Sequence, residues 1–138
     1  ALVAFSPLAR GFLSDSIVEP TQLIEKDIRR AMPRFQPDHW PANAALLPAW
    51  RGLAQEAGCT PAQLALAWLY SRGDHVVVIP GSTNLAHVRD DFDASTLDIE
   101  ESLLQRAGEL IDTATVSGPR YNALNASEVD AESFEDAA

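Results

Sequence analysis

The sequence contains little positive charge and only one cysteine. Of its 138 residues, 10 are Lys or Arg and 20 are Asp or Glu, so the formal net charge is −10. Nucleic acids and anionic membrane surfaces select a clustered positive face, and we therefore predict neither as a partner. Cys59 cannot form a disulfide within the chain, which fits a reducing compartment, and we expect a cytoplasmic protein.

Long apolar runs and metal-ligand spacings are also missing. No run approaches the ~20 apolar residues that a membrane-spanning helix needs, and the three histidines are too far apart to form a ligand motif. The opening residues, ALVAFSPLARG, have no basic start before an apolar stretch and so do not resemble a signal peptide. Because the chain lacks an initial Met and opens on a strand pattern, we expect it to be part of a longer protein.

Two short apolar runs predict β-strands. ALVAF (1–5) ends at a Ser-Pro turn, and HVVVIPG (75–81) is unbroken, as is typical of a parallel strand buried on both faces. Between them, residues 14–43 contain four prolines, which exclude a long helix and predict a loop that is either functional or disordered. Two strands are too few for an independent parallel sheet, so other strands would be needed to bury them.

The other segments predict helices, so the fold class is α/β and the chain is mostly helical. Residues 44–57 carry an apolar stripe that ends at Gly58, and a capping box beginning at Thr60 starts a second, buried helix that ends at Gly73. A short helix is predicted from about Asn84 to Phe92.

A last helix follows, with Asp98 and Glu101 as predicted caps and an apolar face that runs from Ile99 to Ile111. Residues 125–138 contain five acids and few residues to bury, which predicts a frayed or disordered end.

The segment VVVIPGSTNLAHVRDD (76–91) combines a strand, a turn of small residues and a helix. The N–H groups at such a helix start can bind phosphate, while Gly81 allows close approach and Ser82 and Thr83 add hydroxyl donors. The alternative is that Ser82 or Thr83 merely caps the helix. Spacing alone leaves both interpretations open.

Other chemically active side chains have simpler explanations. In KDIRRAMPRF (26–35), Arg29, Arg30 and Arg34 accompany Asp27 in what we interpret as a solvated or salt-bridged loop. Cys59 precedes a helix cap without a nearby histidine and is expected to be an inert thiol.

Taken together, AFSPLARGFL (4–13), KDIRRAMPRF, TPAQLALAWL (60–69), VVVIPGSTN (76–84) and SGPRY (117–121) resemble the C-terminal part of an aldo-keto reductase. The resemblance covers residues 1–121, followed by an acidic tail at 122–138. It implies a (β/α)8 TIM barrel that binds NADPH in extended form and reduces aldehydes or ketones, with the two predicted strands as barrel strands seven and eight.

The resemblance also implies cofactor-binding roles for individual residues. Phe5 matches the aromatic residue that stacks on nicotinamide. The turn after Phe5 matches the turn that runs along the pyrophosphate. The turn after the second strand would hold the 2′-phosphate, with Asn84 where a Lys or Arg is common, and the adenine-binding positions follow. The implied set is Phe5, Ser6, Leu8, Arg10, Gly81, Ser82, Thr83, Asn84, His87, Asp90 and Asp91.

Besides Asn84, His87 and Asp91 depart from the family pattern. His87 replaces an arginine that offers phosphate a permanent bidentate charge, and Asp91 replaces an asparagine that can donate as well as accept. We therefore expect NADP(H) as cofactor with a weakened 2′-phosphate contact, so that NAD(H) is also possible.

The family's catalytic Asp, Tyr, Lys and His lie on earlier strands, and no residue here matches them. Tyr70, Tyr121, Lys26 and Asp27 fall outside those motifs, so we assign no catalytic residue. Without a proton donor the chain alone should be inactive, and the remainder of the barrel and a small carbonyl substrate are the expected partners. The alternatives are a truncated, non-catalytic interaction protein and a bare dinucleotide-binding module.

Overall fold

The computed structural model describes residues 1–14, 16 and 19–127 of the chain. Its two strands are β1 (Leu2–Phe5) and β2 (Val76–Ile79). The helices are α1 (Trp40–Ala44), α2 (Leu47–Glu56), α3 (Pro61–Tyr70), α4 (Leu85–Asp93), α5 (Glu101–Leu110) and α6 (Ala123–Ala126). Short 3-10 turns occupy Ala9–Ser14, Pro20–Gln22, Ile28–Ala31, Pro33–Phe35 and Ala94–Thr96.

The predicted parallel pairing of the two strands is confirmed. Leu2 pairs with Val76 and Phe5 pairs with Ile79, so both strands end at the same edge of the sheet. The intervening chain returns through α3, which packs on the sheet and on α2 and α5. The helix that links two parallel strands therefore also supplies the centre of the core, in which Leu64 and Leu66 are fully buried.

Strand β2 is not buried on both faces in this two-stranded sheet, which agrees with the expectation that other strands would be needed to bury it. Val76 is buried, but Val77 and Ile79 remain 49% and 51% exposed, and their partners Val3 and Phe5 are similarly open. Side chains alternate between the faces of a strand, and the helices cover only one face. The other face is a row of β-branched and aromatic side chains that no described helix or strand covers, although the Arg120 guanidinium lies over the Phe5 ring.

Helix α3 begins as predicted. The side chain of Thr60 accepts a hydrogen bond from the Gln63 N–H at 3.1 Å, and Gln63 Oε1 accepts one from the Thr60 N–H at 3.0 Å. This capping box satisfies two backbone donors that a helix start leaves free. Gly58, at φ +69°, lets the chain turn sharply between α2 and α3.

The proline-rich loop has no long helix, as predicted, yet it forms part of the core. Met32, Phe35 and Trp40 are buried. The rings of Phe35 and Trp40 stack with centroids 5.9 Å apart, and Phe12 meets Trp40 edge-on at 6.1 Å. The loop therefore closes one side of the α2–α3–α5 helix layer.

Three details of the helix predictions are wrong. The helix predicted at 44–57 begins only at Leu47, because Pro48 in the first turn of α2 favours a helix start there, and the separate short helix α1 precedes it in the predicted loop. Helix α5 starts after Glu100, so neither Asp98 nor Glu101 is its N-cap. Asn125 and Ala126, predicted to be frayed, belong to α6, while residues 128–138 of the predicted tail lie outside the described part.

Replacing Thr60 tests how much the capping box stabilises α3. Thr60→Ala removes the acceptor for the Gln63 N–H, and we expect a loss of about 1 kcal/mol in the free energy of unfolding. The control is Thr83→Ala, because Thr83 is exposed and is not a helix cap. Equal urea midpoints for the two variants would contradict the assignment.

Asp27 provides a pH-dependent test of the loop. Hydrogen bonds from the Arg29 side chain, the shortest at 2.7 Å, hold the pKa of Asp27 at about 2, below its usual 3.8. The contribution of ionised Asp27 to folding stability is present above pH 4 and is lost as the pH falls towards 2. Asp27→Asn should therefore lower unfolding stability by less than about 1 kcal/mol at pH 7, since the pair is surface-accessible, and the difference from wild type should shrink at pH 2. Glu25→Gln should show no such convergence.

Candidate functional site

An open groove of about 800 Å³ lies where the two strands end. One wall is the turn after β1, the other is the turn after β2, and the start of α3 and one side of α4 complete it. Most of the predicted cofactor-binding residues line this groove. They are Ser6, Leu8, Arg10, Gly81, Ser82, His87, Asp90 and Asp91.

The turn after β1 has an unusual backbone. Ser6, Ala9 and Arg10 adopt φ values of 51°, 49° and 56°, and Gly11 follows at 90°. A positive φ is uncommon for residues with a Cβ and costs on the order of 1 kcal/mol each. Such strain persists only where surrounding contacts enforce it, and it is concentrated at ligand sites.

Two long-range hydrogen bonds hold this strained turn. The Arg29 guanidinium donates to the Arg10 carbonyl at 3.2 Å, and the buried Trp50 indole donates to the Leu13 carbonyl at 3.1 Å. Arg29 is itself fixed by its ion pair with Asp27. The proline-rich loop and α2 therefore determine the conformation of the groove wall.

The turn after β2 contradicts one of the two sequence interpretations, in which Ser82 or Thr83 caps the helix. Neither Ser82 nor Thr83 caps α4; the N-cap is Asn84, whose side chain accepts from the Ala86 N–H at 2.8 Å. The cap engages only the Oδ1 atom of Asn84, for which the family resemblance implied a cofactor-binding role. Ser82 Oγ accepts from the Asn84 N–H at 3.1 Å and stabilises the turn from within.

Backbone donors remain available at this helix start. The N–H groups of Leu85 and His87 have no acceptor among the described residues, and the turn from Gly81 to Asn84 is exposed. Free N–H groups at a helix start favour an anion through their partial positive charge.

The far end of the groove is acidic. Asp90 accepts a 2.7 Å hydrogen bond from the Thr60 hydroxyl, so its carboxylate is fixed against the start of α3. Asp91 is only 7% exposed. Burial and the neighbouring Asp90 raise the pKa of Asp91, and His87 opposes this shift. A phosphate at this end would meet two carboxylates and one imidazole.

Phe5, Thr83 and Asn84 do not line the groove. Phe5 lies instead beside a second, largely apolar cavity of about 400 Å³, which shares Ser6 and Arg10 with the groove. The two spaces therefore meet at the strained turn after β1.

Three residues at this junction, Arg34, Arg120 and Tyr121, are not in the predicted cofactor-binding set, although the family resemblance implies that their segments help to wall the site. Arg34 and Arg120 line the second cavity together with Arg10, and Tyr121 lies beneath the Arg10 and Arg120 guanidiniums. The interpretation of this segment as a solvated or salt-bridged loop is confirmed for the Arg29–Asp27 ion pair. It is wrong for Arg34, whose Nε donates to the Gly118 carbonyl at 3.0 Å. These residues belong to the motifs KDIRRAMPRF and SGPRY. The sequence, however, does not indicate that the two motifs lie close together in space.

The groove accommodates some parts of a dinucleotide better than others. The Arg10 turn and the free N–H groups at α4 suit a diphosphate, whereas the carboxylates near His87 suit hydroxyl groups better than a phosphate. In the described ranges no cluster of three potential ligands suits a metal ion, and no helix is long and apolar enough to cross a bilayer. Burial and Asp90 raise the pKa of the Cys59 thiol, which agrees with an inert cysteine.

Comparison with known proteins gives a consistent result. Residues 1–116 match the model of the aldo/keto reductase family. The chain is 33% identical over 120 residues to "Aldo-keto reductase yakc [NADP(+)]" of Schizosaccharomyces pombe, and 34% identical over 120 residues to "Probable aldo-keto reductase 1" of Glycine max. It is 26% identical over 129 residues to "Aldo-keto reductase str7" of Strobilurus tenacellus.

These alignments cover 87%, 87% and 94% of this chain, in the order given, but only 35%, 34% and 38% of the relatives. The chain therefore spans about a third of the length of the curated relatives it matches. The family match and the two strand-end turns agree, and the chain belongs to the aldo/keto reductase family.

Proposed function

We propose that the chain forms the cofactor-binding side of an NADP(H)-dependent oxidoreductase that reduces aldehydes or ketones to alcohols. The observation that carries this proposal is the groove between the turns after β1 and β2, which brings together residues 70 or more positions apart in the sequence. A parallel pair of strands that ends in two donor-rich turns is the usual setting for a nucleotide diphosphate.

Each part of the groove has a proposed task. Ser6, Leu8 and Arg10 border the diphosphate, and Gly81 and Ser82 allow the backbone to approach the adenosine half. Phe5 provides a flat apolar surface for the nicotinamide ring, next to the cavity that would admit the carbonyl compound. The bound cofactor supplies the hydride; the residues described here orient it and exclude water.

The proton donor is proposed to come from outside residues 1–138. In the family the carbonyl oxygen receives its proton from a tyrosine of tuned pKa, and the two tyrosines of this chain do not match that motif. We therefore propose that residues 1–121 form barrel strands seven and eight with their helices. The open face formed by Val3, Phe5, Val77 and Ile79 supports this, since the other strands of a barrel would cover it. The complete enzyme would act in the cytoplasm.

The same open face favours one alternative, a non-catalytic protein that uses this apolar sheet to bind another chain. The test is a titration of the full-length natural protein with NADPH and NADH, followed by an aldehyde-reduction assay that monitors cofactor absorbance. Dinucleotide binding with turnover supports the reductase. Absence of dinucleotide binding at millimolar concentration favours the interaction protein, and binding without turnover favours the bare nucleotide-binding module.

His87→Arg should strengthen NADPH binding about tenfold, because a guanidinium adds a charge-assisted contact to the 2′-phosphate. Affinity for NADH, which lacks that phosphate, should stay unchanged. Cofactor fluorescence titration measures both dissociation constants. His75→Arg serves as the control, since His75 precedes β2 at the opposite end of the strand and makes the same change in charge. An equal gain in both variants would contradict the placement of the 2′-phosphate.

Asp91→Asn should raise NADPH affinity several-fold by removing a carboxylate from the same end of the groove. It should also stabilise the fold at pH 7. Because the pKa of Asp91 is raised, its ionised form destabilises the folded state, and the advantage of asparagine should vanish as the pH falls below the usual carboxyl range. Thermal melts at pH 7 and pH 3 test this. The control Asp93→Asn, on the exposed side of α4, should show no comparable change.

A further inference from the structure

Three of the chain's 10 basic residues converge at the end of β1. The Arg120 guanidinium lies 4.5 Å from the centre of the Phe5 ring. Arg120 and Arg10 each lie 5.5 Å from the centre of the Tyr121 ring, and Arg34 lines the same cavity. In a protein of net charge −10, this is a local concentration of positive charge.

No carboxylate of the described chain neutralises this cluster. Among the described residues, Arg29 pairs with Asp27, Arg72 with Glu101 and Arg106 with Glu56. None of these ion pairs involves Arg10, Arg34 or Arg120. Burial, followed by the charges of Arg120 and Arg10, lowers the pKa of Arg34. Like charges that the fold keeps together, without an acid between them, are stabilised when an anion binds.

A buried asparagine holds the cluster in place. Asn43 is only 2% exposed, and its side-chain amide donates to the carbonyls of Arg34 and Ser117 at 3.0 Å each. Its side-chain oxygen accepts from the Ser117 N–H at 2.8 Å. Arg34 itself donates to the Gly118 carbonyl. The loop that carries Arg34 and the segment that carries Arg120 are thereby joined without the help of any ligand.

We propose that Arg34 and Arg120, assisted by Arg10, form an anion subsite beside Phe5 that binds a carboxylate on the carbonyl substrate. The preferred substrates are then acids that also carry an aldehyde or ketone group. This inference rests on the proposed function, since Phe5 marks the reacting end of the site only if the nicotinamide ring stacks there.

The surroundings favour a substrate carboxylate over the diphosphate of the cofactor. Arg34 and Arg120 do not line the groove between the two strand-end turns; they line the cavity on the Phe5 side. The walls of that cavity include Phe12, Met32 and Phe35, which suit an apolar body. Arg10 lines both spaces and can serve the diphosphate. An aromatic or aliphatic aldehyde with a distal carboxylate matches this division.

The experiment measures binding of benzoate and of its neutral counterpart benzamide to the full-length natural protein, without cofactor, by chemical-shift titration. Benzoate should bind at least tenfold more tightly than benzamide. Arg120→Gln should remove most of this preference, and Arg120→Lys should retain part of it, because the charge remains but the planar fork is lost. Arg89→Gln is the matched control, since Arg89 lies on α4 and lines neither cavity. Equal binding of benzoate and benzamide overturns the inference.

The same variants separate this inference from the proposed function. With NADPH, Arg120→Gln should change the dissociation constant less than twofold. A large loss of NADPH affinity with unchanged benzoate binding assigns the cluster to the cofactor and overturns the inference. Benzoate binding without any dinucleotide binding overturns the proposed oxidoreductase, and with it the assignment to a carbonyl substrate. In a turnover assay, Arg120→Gln should raise KM for 4-formylbenzoate about tenfold relative to its methyl ester.

Discussion

The parallel pairing of β1 with β2 is the constraint on which the rest of this structure depends. Only four residues from each strand take part, yet their register brings Ser6 and Pro80 to the same edge. Because parallel strands require a crossover, α3 must lie against the sheet, and its apolar residues then organise α2 and α5 around it. The groove results from the same pairing, because the turn after each strand forms one of the two walls of the groove.

The groove walls differ in how they are fixed. The turn after β2 is a local structure, stabilised by Ser82 and Asn84 within a few residues. The turn after β1 contains positive φ angles at Ser6, Ala9 and Arg10 and depends on donors from Arg29 and Trp50, which are remote in sequence. A loop that looks irregular in the sequence therefore serves to hold a strained binding wall, and this explains why it packs Phe35 and Trp40 into the core.

Features that depend on neighbouring residues could be predicted from the sequence, whereas contacts between distant segments could not. The capping box at Thr60 and the strand at Val76 depend on neighbouring residues, so their patterns were sufficient. A cap of α4 by Ser82 or Thr83, one of the two interpretations left open, is wrong because serine, threonine and asparagine stand side by side and all cap well. The contact of Arg34 with Gly118 joins positions 84 residues apart, and no periodicity in either segment indicates it.

The distribution of charge connects these observations. Acidic residues dominate the chain, and two of them border the end of the groove where the family resemblance places the 2′-phosphate. Three of the arginines, Arg10, Arg34 and Arg120, lie instead at the other end, near Phe5 and Tyr121. An extended ligand in this site would therefore meet carboxylates at its adenosine end and guanidiniums at its reacting end. Under the proposed function, such a gradient would weaken discrimination by the cofactor's 2′-phosphate and favour an anionic substrate, so one charge distribution would account for both proposals.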